Sequence, residues 1–217
     1  MNRSEIQASK RFLKLTDRLP PVGWALIGIV VLSALIVWVS PNEQTLGAGI
    51  RAVYVHVGLT WAGTAVFVIT AVLGALVLLT GSWRLHDWMR PAGWVATLVY
   101  AGGVGMSMVA SKVNWGAVFL QEPRMAAAIN ALGIALLIQI AANWFPWVRL
   151  RGLLHIVFLG LLYWLTFQAP LVLHPRDAIS TSSSFGIRAT FVALFGLFLA
   201  AALMIIWHLR RRPTPSV

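Results

Sequence analysis

Val22-Gly-Trp-Ala-Leu-Ile-Gly-Ile-Val-Val-Leu-Ser-Ala-Leu-Ile-Val-Trp-Val39 runs for 18 residues without one charged side chain. As a helix rising 1.5 Å per residue it is about 27 Å long, close to the hydrocarbon thickness of a bilayer. Comparable apolar runs recur to the end of the chain. They predict further spans from near His56 to Thr80, Ala92 to Ala110, Met125 to about Val148, Gly152 to Leu173, and Ala189 to Trp207. The 217 residues are 59% hydrophobic and only 11% charged, against about 25% charged in a soluble domain. The expected fold class is therefore all-α: a polytopic membrane protein of six transmembrane helices. No length is left for a soluble domain.

Short polar segments separate the spans. Residues 1–20 are polar and basic. Their apolar positions Ile6, Phe12, Leu13 and Leu19 suit either an interfacial helix or a disordered tail. A cleaved leader is not expected, because the charged region and the apolar run are both long and no small-residue cleavage pattern follows. Residues 210–217 form a basic tail opening with Arg210, Arg211 and Arg212. Twelve of the seventeen Lys and Arg fall on the side holding both termini, five on the other. The positive-inside bias makes the richer side, with both termini, cytoplasmic. It also accounts for the net charge of +11 without nucleic acid as a partner. Trp24, Trp83, Trp88, Trp144, Trp147 and Trp207 read as an interfacial belt on that side.

With six spans, His56, the segment Val113–Met125 and His174 share the outer side. His86 and His208 fall on the inner side, and His155 near the inner end of the fifth span. His155 and His174 are separated by about 28 Å of helix and cannot share a site. Cysteine is absent, which excludes disulfides, thiolate metal sites and covalent haem attachment through Cys-x-x-Cys-His. No span carries Lys, Arg, Asp or Glu in its interior, which argues against an ion-driven carrier. Asn130, Gln139 and Asn143 are expected to bond between helices, and Gly102, Gly103 and Gly105 to let helices approach closely. No nucleotide-binding, hydrolase or zinc-protease motif occurs, and no catalytic residue or enzymatic activity is expected.

Two outer histidines remain. Imidazole is a good iron ligand, and haem needs one or two axial side chains. Trp61, Trp115 and Phe119 offer aromatic surface. Arg51, Lys112, Arg124, Arg176 and Arg188 offer cations for carboxylates. Zinc would call for three or four ligands, and Glu43, Glu122 and Asp177 are the only outer acids. A histidine at a helix end also sits there simply because its polar tip suits the interface, so residue type alone leaves both readings open.

Arg51-Ala-Val-Tyr54-Val-His56-Val57-Gly58-Leu-Thr-Trp61 resembles the second span of the haem-handling membrane proteins of cytochrome c maturation, the CcmC and CcsA type. Their pattern there is Arg-x-x-Tyr-x-His-Val-Pro-x-x-Trp, and Gly58 stands for the proline. The stretch from Trp115 to Arg124 resembles their tryptophan-rich segment, Trp-Gly-x-Trp-Trp-x-Trp-Asp-x-Arg. Trp115, Gly116 and Arg124 match, Phe119 stands for a Trp, Glu122 for the Asp, and Val118 and Gln121 replace two further tryptophans. His174 lies where that family has its second axial histidine, and the Trp-Trp before it is absent. The resemblance covers roughly Arg51 to Ala200.

The resemblance implies a bacterial inner-membrane protein whose residues 21–209 form a haem-binding domain. It would hold haem b non-covalently, with His56 and His174 as a bis-histidine axial pair. Arg51, Tyr54, Trp61, Trp115, Phe119, Arg124, Arg176 and Arg188 would form the platform and propionate contacts. The implied partners are lipid, an ABC-type transporter, a small membrane subunit, and a periplasmic haem chaperone or cytochrome. The thinned aromatic segment also fits an alternative: a b-haem membrane subunit of an oxidoreductase complex, exchanging electrons with quinone or a periplasmic partner.

Overall fold

Helix α2 (Ile50–Thr80) is the element against which most of the other helices pack. A computed structural model describes residues 22–173 and 182–211, and these are all-helical. The remaining helices are α1 (Val22–Val39), α3 (Trp83–Trp115), α4 (Pro123–Trp144), α5 (Val148–Gln168) and α6 (Phe185–Arg211). All six are long and apolar enough to cross a membrane. The surface agrees: Trp38, Leu79, Phe167 and Phe185 are each at least 75% exposed, and in α1 only Ser33 is buried. A helix apolar all round yet barely covered by protein is stable only with lipid around it. This is a multi-pass membrane protein.

Glycine sets the contacts of α2. Gly81, at φ 68°, ends the helix and returns its N–H to the Val77 carbonyl at 2.8 Å. The Ser82 hydroxyl then caps α3 by accepting from the Leu85 N–H, so α2 and α3 form a tight antiparallel hairpin. A Cβ on Gly63 would lie 2.8 Å from the Tyr100 nitrogen, and one on Gly103 would lie 2.9 Å from the Thr60 nitrogen. A Cβ on Gly74 would lie 2.6 Å from the Gly152 carbonyl oxygen, which seats α5 on α2. With no Cβ in the way, backbones approach closely and dispersion replaces the hydrophobic drive that lipid removes. Of the expected trio, only Gly103 has this role. Gly102 would meet a flexible Leu59 methyl at 3.6 Å, and nothing lies within 4 Å of a Cβ on Gly105.

Phe67 centres the core, edge-on to Phe158 at 4.6 Å and to Tyr100 at 5.9 Å. The buried hydroxyls of Thr70 and Thr97 donate to carbonyls one turn back, Val66 at 2.7 Å and Gly93 at 2.9 Å. Neither is then left unsatisfied in the apolar interior.

Several boundaries differ from the apolar runs. α2 starts at Ile50, well before His56. Residues 83–91 are helix rather than loop. There His86, Met89, Ala92 and Gly93 are buried while Arg84, Asp87 and Arg90 point away, so the charges mark the outer face of an amphipathic helix. Pro91 lies inside this helix, where its ring removes one backbone donor. α4 stops at Trp144 because Phe145 precedes Pro146 and is extended (φ −68°, ψ 131°). α5 therefore begins at Val148. It ends at Gln168 because Ala169 precedes Pro170, a turn short of the expected Leu173. Asn130 and Asn143 are exposed instead of bonding between helices.

The belt tryptophans gather at one end. Trp88 packs on Trp207 at 5.4 Å. Arg210 lies over Trp88 and Arg151 over Trp83, each 5.5 Å from the ring centre. Trp24, at the start of α1, is on this end too, because the other end of α1 meets α2 and α6. There Pro41 accepts the Tyr54 hydroxyl at 3.0 Å and lies against Gly186. The start of α1 and the end of α6 thus share one end of the bundle.

Candidate functional site

The opposite end holds His56 and the link between α3 and α4. α3 closes on Gly116 (φ 79°), whose N–H returns to the Lys112 carbonyl at 3.0 Å. The Ser111 hydroxyl donates to the Ala117 carbonyl at 2.8 Å, and Lys112 Nζ to the Gly116 carbonyl at 2.8 Å. Asn114 Nδ2 donates to the Gly49 carbonyl at 3.2 Å, tying the end of α3 to the start of α2. The Glu122 carboxylate then caps α4 by accepting from the Met125 N–H at 2.7 Å, with Pro123 at the first helical position. An acidic cap suits the positive end of the helix dipole. These bonds place Arg124 and Met125 on the first turn of α4. Outside this link, Glu43 accepts from the Leu46 and Thr45 N–H groups at 2.8 Å each. The Leu46 bond chiefly holds its carboxyl below the ordinary carboxylate range.

His56 sits on the second turn of α2, facing α3. Its Nδ1 lies 2.9 Å from the Gly103 carbonyl oxygen. A carbonyl only accepts, so Nδ1 carries the proton and the lone pair of the neutral ring is on Nε2. An orienting bond of this kind is what a metal-binding imidazole ordinarily has on its other nitrogen. The Thr60 hydroxyl stands 3.4 Å from the same Nδ1 and donates to the His56 carbonyl at 2.9 Å. Gly103 makes the arrangement possible: any larger residue would push its own carbonyl away from α2.

A cavity of about 340 Å³ opens beside His56 among α2, α3, α4 and α5. Trp61, Tyr100 and Tyr163 supply aromatic wall. Arg124 supplies a guanidinium whose Nε is buried with no hydrogen-bond partner among the described residues. The Met125 thioether also lines it, accepting the Ser107 hydroxyl at 3.2 Å. One imidazole, one incompletely satisfied cation and an aromatic apolar wall form a site for a ligand with an apolar body and an acidic group. Among the described residues no three His, Cys, Asp or Glu gather to hold a bare metal ion.

Of the residues singled out in the sequence, His56, Trp61 and Arg124 come together here. Tyr54 is fully buried below them, edge-on to Phe191 at 4.7 Å, and serves packing. Arg51 is half-buried off the cavity, its Nε without a partner among the described residues. Trp115, the last residue of α3, and Phe119, on the link to α4, are exposed, and Arg188 is exposed on the first turn of α6. His174 and Arg176 lie outside the described residues. Tyr100, Ser107, Met125 and Tyr163 are wall residues the sequence did not single out. Each sits in an ordinary apolar span, and nothing local distinguishes it from packing.

The other end holds a second polar group. His86 Nε2 lies 3.2 Å from an Arg151 guanidinium nitrogen, and Arg151 Nε donates to the Phe145 carbonyl at 2.7 Å. His155 and Gln139 press on Gly93. His155 Nδ1 and Gln139 Nε2 have no hydrogen-bond partner among the described residues. Gln139 is thus buried between helices, without the expected bond from its amide nitrogen.

Fold and cavity define a multi-pass helical membrane protein with a ligand-sized site at one end. In comparison with known proteins, no family model and no curated protein matches the chain.

Proposed function

We propose that this is a haem-binding membrane protein of the cytochrome c assembly type, seated in a bacterial inner membrane with both termini cytoplasmic. The observation that carries the proposal is His56, its Nδ1–H held by the Gly103 carbonyl, sharing a cavity wall with the Arg124 guanidinium, whose Nε is buried without a partner among the described residues. These residues fit haem b: an axial imidazole, a cation for a propionate, and the aromatic faces of Trp61 and Tyr163 for the macrocycle. His174 is the proposed second axial donor. Haem, when bound, supplies the iron and its redox couple. Within the chain, His56 would ligate the iron, Gly103 orients His56, Arg124 would pair with the acid group, and the aromatic wall would keep water from the bound group. The proposed role is delivery, with a periplasmic haem chaperone or cytochrome as acceptor and an ABC-type transporter and small membrane subunit as partners.

The test is the visible spectrum of the purified protein, oxidised and dithionite-reduced, beside His56→Ala and His174→Ala at equal expression. The expected result is a low-spin b-type spectrum that either substitution converts or abolishes. A featureless spectrum that persists after haemin is added would remove the ligand assignment. A b-type spectrum unchanged in both variants would remove the two histidines from it.

A further inference from the structure

The His56 cavity does not end at α5. Trp61, Thr64 and Tyr163 line it and also line a second hollow of about 260 Å³, closed on its far side by Phe195 of α6. α5 and α6 both pack on α2, yet among the described residues no Cα of α5 lies within 8 Å of one in α6. A seam therefore runs along α2 between them. It is not at the bundle end: Trp61 lies about 17 Å along α2 and Phe195 about 15 Å along α6, more than a third of the way along each spanning helix. Its walls are apolar apart from the Thr64 hydroxyl, the Tyr163 phenol and the Trp61 indole N–H. Trp61 and Tyr163, each 42% exposed, flank the passage from seam to cavity, and Trp61 leans edge-on against Phe195 at 6.2 Å.

We propose that the ligand of the His56 cavity enters sideways from the bilayer, through the seam between α5 and α6, and that it is an amphiphilic acid. Its acidic group goes to Arg124 and its planar or extended apolar body lies past Trp61 and Tyr163. The chemistry of the two ends is complementary to such a molecule. The cavity offers an incompletely satisfied guanidinium and an imidazole; the seam offers mainly surfaces that acyl chains wet. A hydrophilic ligand would find only the Thr64, Tyr163 and Trp61 polar atoms along this path and would lose most of its hydration to use it. The identification of that amphiphile as haem rests on the function proposed above, whereas the route does not.

The chain has no cysteine, so Thr64→Cys in the full-length protein places a single thiol in the passage. In liposomes, pyrene maleimide dissolved in the bilayer is expected to label it, while a water-soluble maleimide disulfonate lags at least ~100-fold because charge is excluded from hydrocarbon. Adding Ala65→Trp, which fills the seam without touching His56 or Arg124, is expected to slow pyrene labelling at least tenfold; Val68→Phe serves as a second filler. Comparable rates for the two reagents, or a pyrene rate unchanged by both fillers, would overturn the lateral route. Haemin loaded into the same liposomes then separates the two proposals. With the route intact, Ala65→Trp delays growth of the Soret band but not its final amplitude. Absence of any Soret band in the unsubstituted chain, with the labelling pattern intact, removes haem and leaves the route.

Discussion

Gly103→Ala tests the link between helix packing and the His56 geometry. The new Cβ would stand 2.9 Å from the Thr60 backbone nitrogen, where ordinary contact begins at 3.4 Å. The Thr60 hydroxyl can rotate away, but its backbone cannot, so α3 must retreat from α2 by about half an ångström. The same movement stretches the bond between the Gly103 carbonyl and His56 Nδ1 from 2.9 Å to about 3.4 Å, which largely forfeits it. Overpacking costs about 1–3 kcal/mol, and the lost hydrogen bond about 0.5–1.5 kcal/mol. The higher helix propensity of Ala returns about 1 kcal/mol. The expected net destabilisation is about 1–3 kcal/mol, with looser ligand binding as the imidazole loses its orientation. Gly105→Ala is the internal control, because nothing lies within 4 Å of its Cβ; it should be neutral or gain up to about 1 kcal/mol from propensity alone. Unfolding in mixed micelles, titrated with SDS, measures both. If the two substitutions shift the midpoint equally, close backbone approach at Gly103 is not what seats α3 on α2.

Two further predictions concern residues away from the cavity. Gln139→Met replaces a buried amide whose nitrogen has no partner with an apolar chain of similar volume, so the unfolding midpoint should rise by the equivalent of about 1–3 kcal/mol; a fall would mean that the amide is satisfied there. Glu43 has a folded carboxyl pKa below its ordinary value of 4.5, chiefly through the Leu46 N–H. Its contribution to stability is therefore present above the unfolded value and is lost as pH falls through the folded one. Glu43→Gln should flatten that acid limb of the SDS midpoint against pH, and an unchanged acid limb would show that the turn between α1 and α2 does not respond to this carboxylate.

The sequence by itself determined the class, the number of spans and the pairing of His56 with the Trp115–Arg124 segment at one end. The reason is that a bilayer imposes a length and an apolarity on every span, and both are local properties of the chain. It misjudged helix ends where charge and hydropathy conflict. Arg84, Asp87 and Arg90 read as loop although they are the outer face of α3, and Pro170, which stops α5, was absorbed into an apolar run. Only the tertiary structure decided which residues meet. Gly103 and Gly105 are indistinguishable in sequence, yet one faces the Thr60 backbone and the other faces nothing. Tyr54 and Trp61 share one motif, and only Trp61 reaches the cavity. Whether a side chain faces a neighbouring helix or lipid depends on rotation about the helix axis. In a chain apolar on every face, hydropathy carries no record of that angle, and close packing of glycine against backbone sets it.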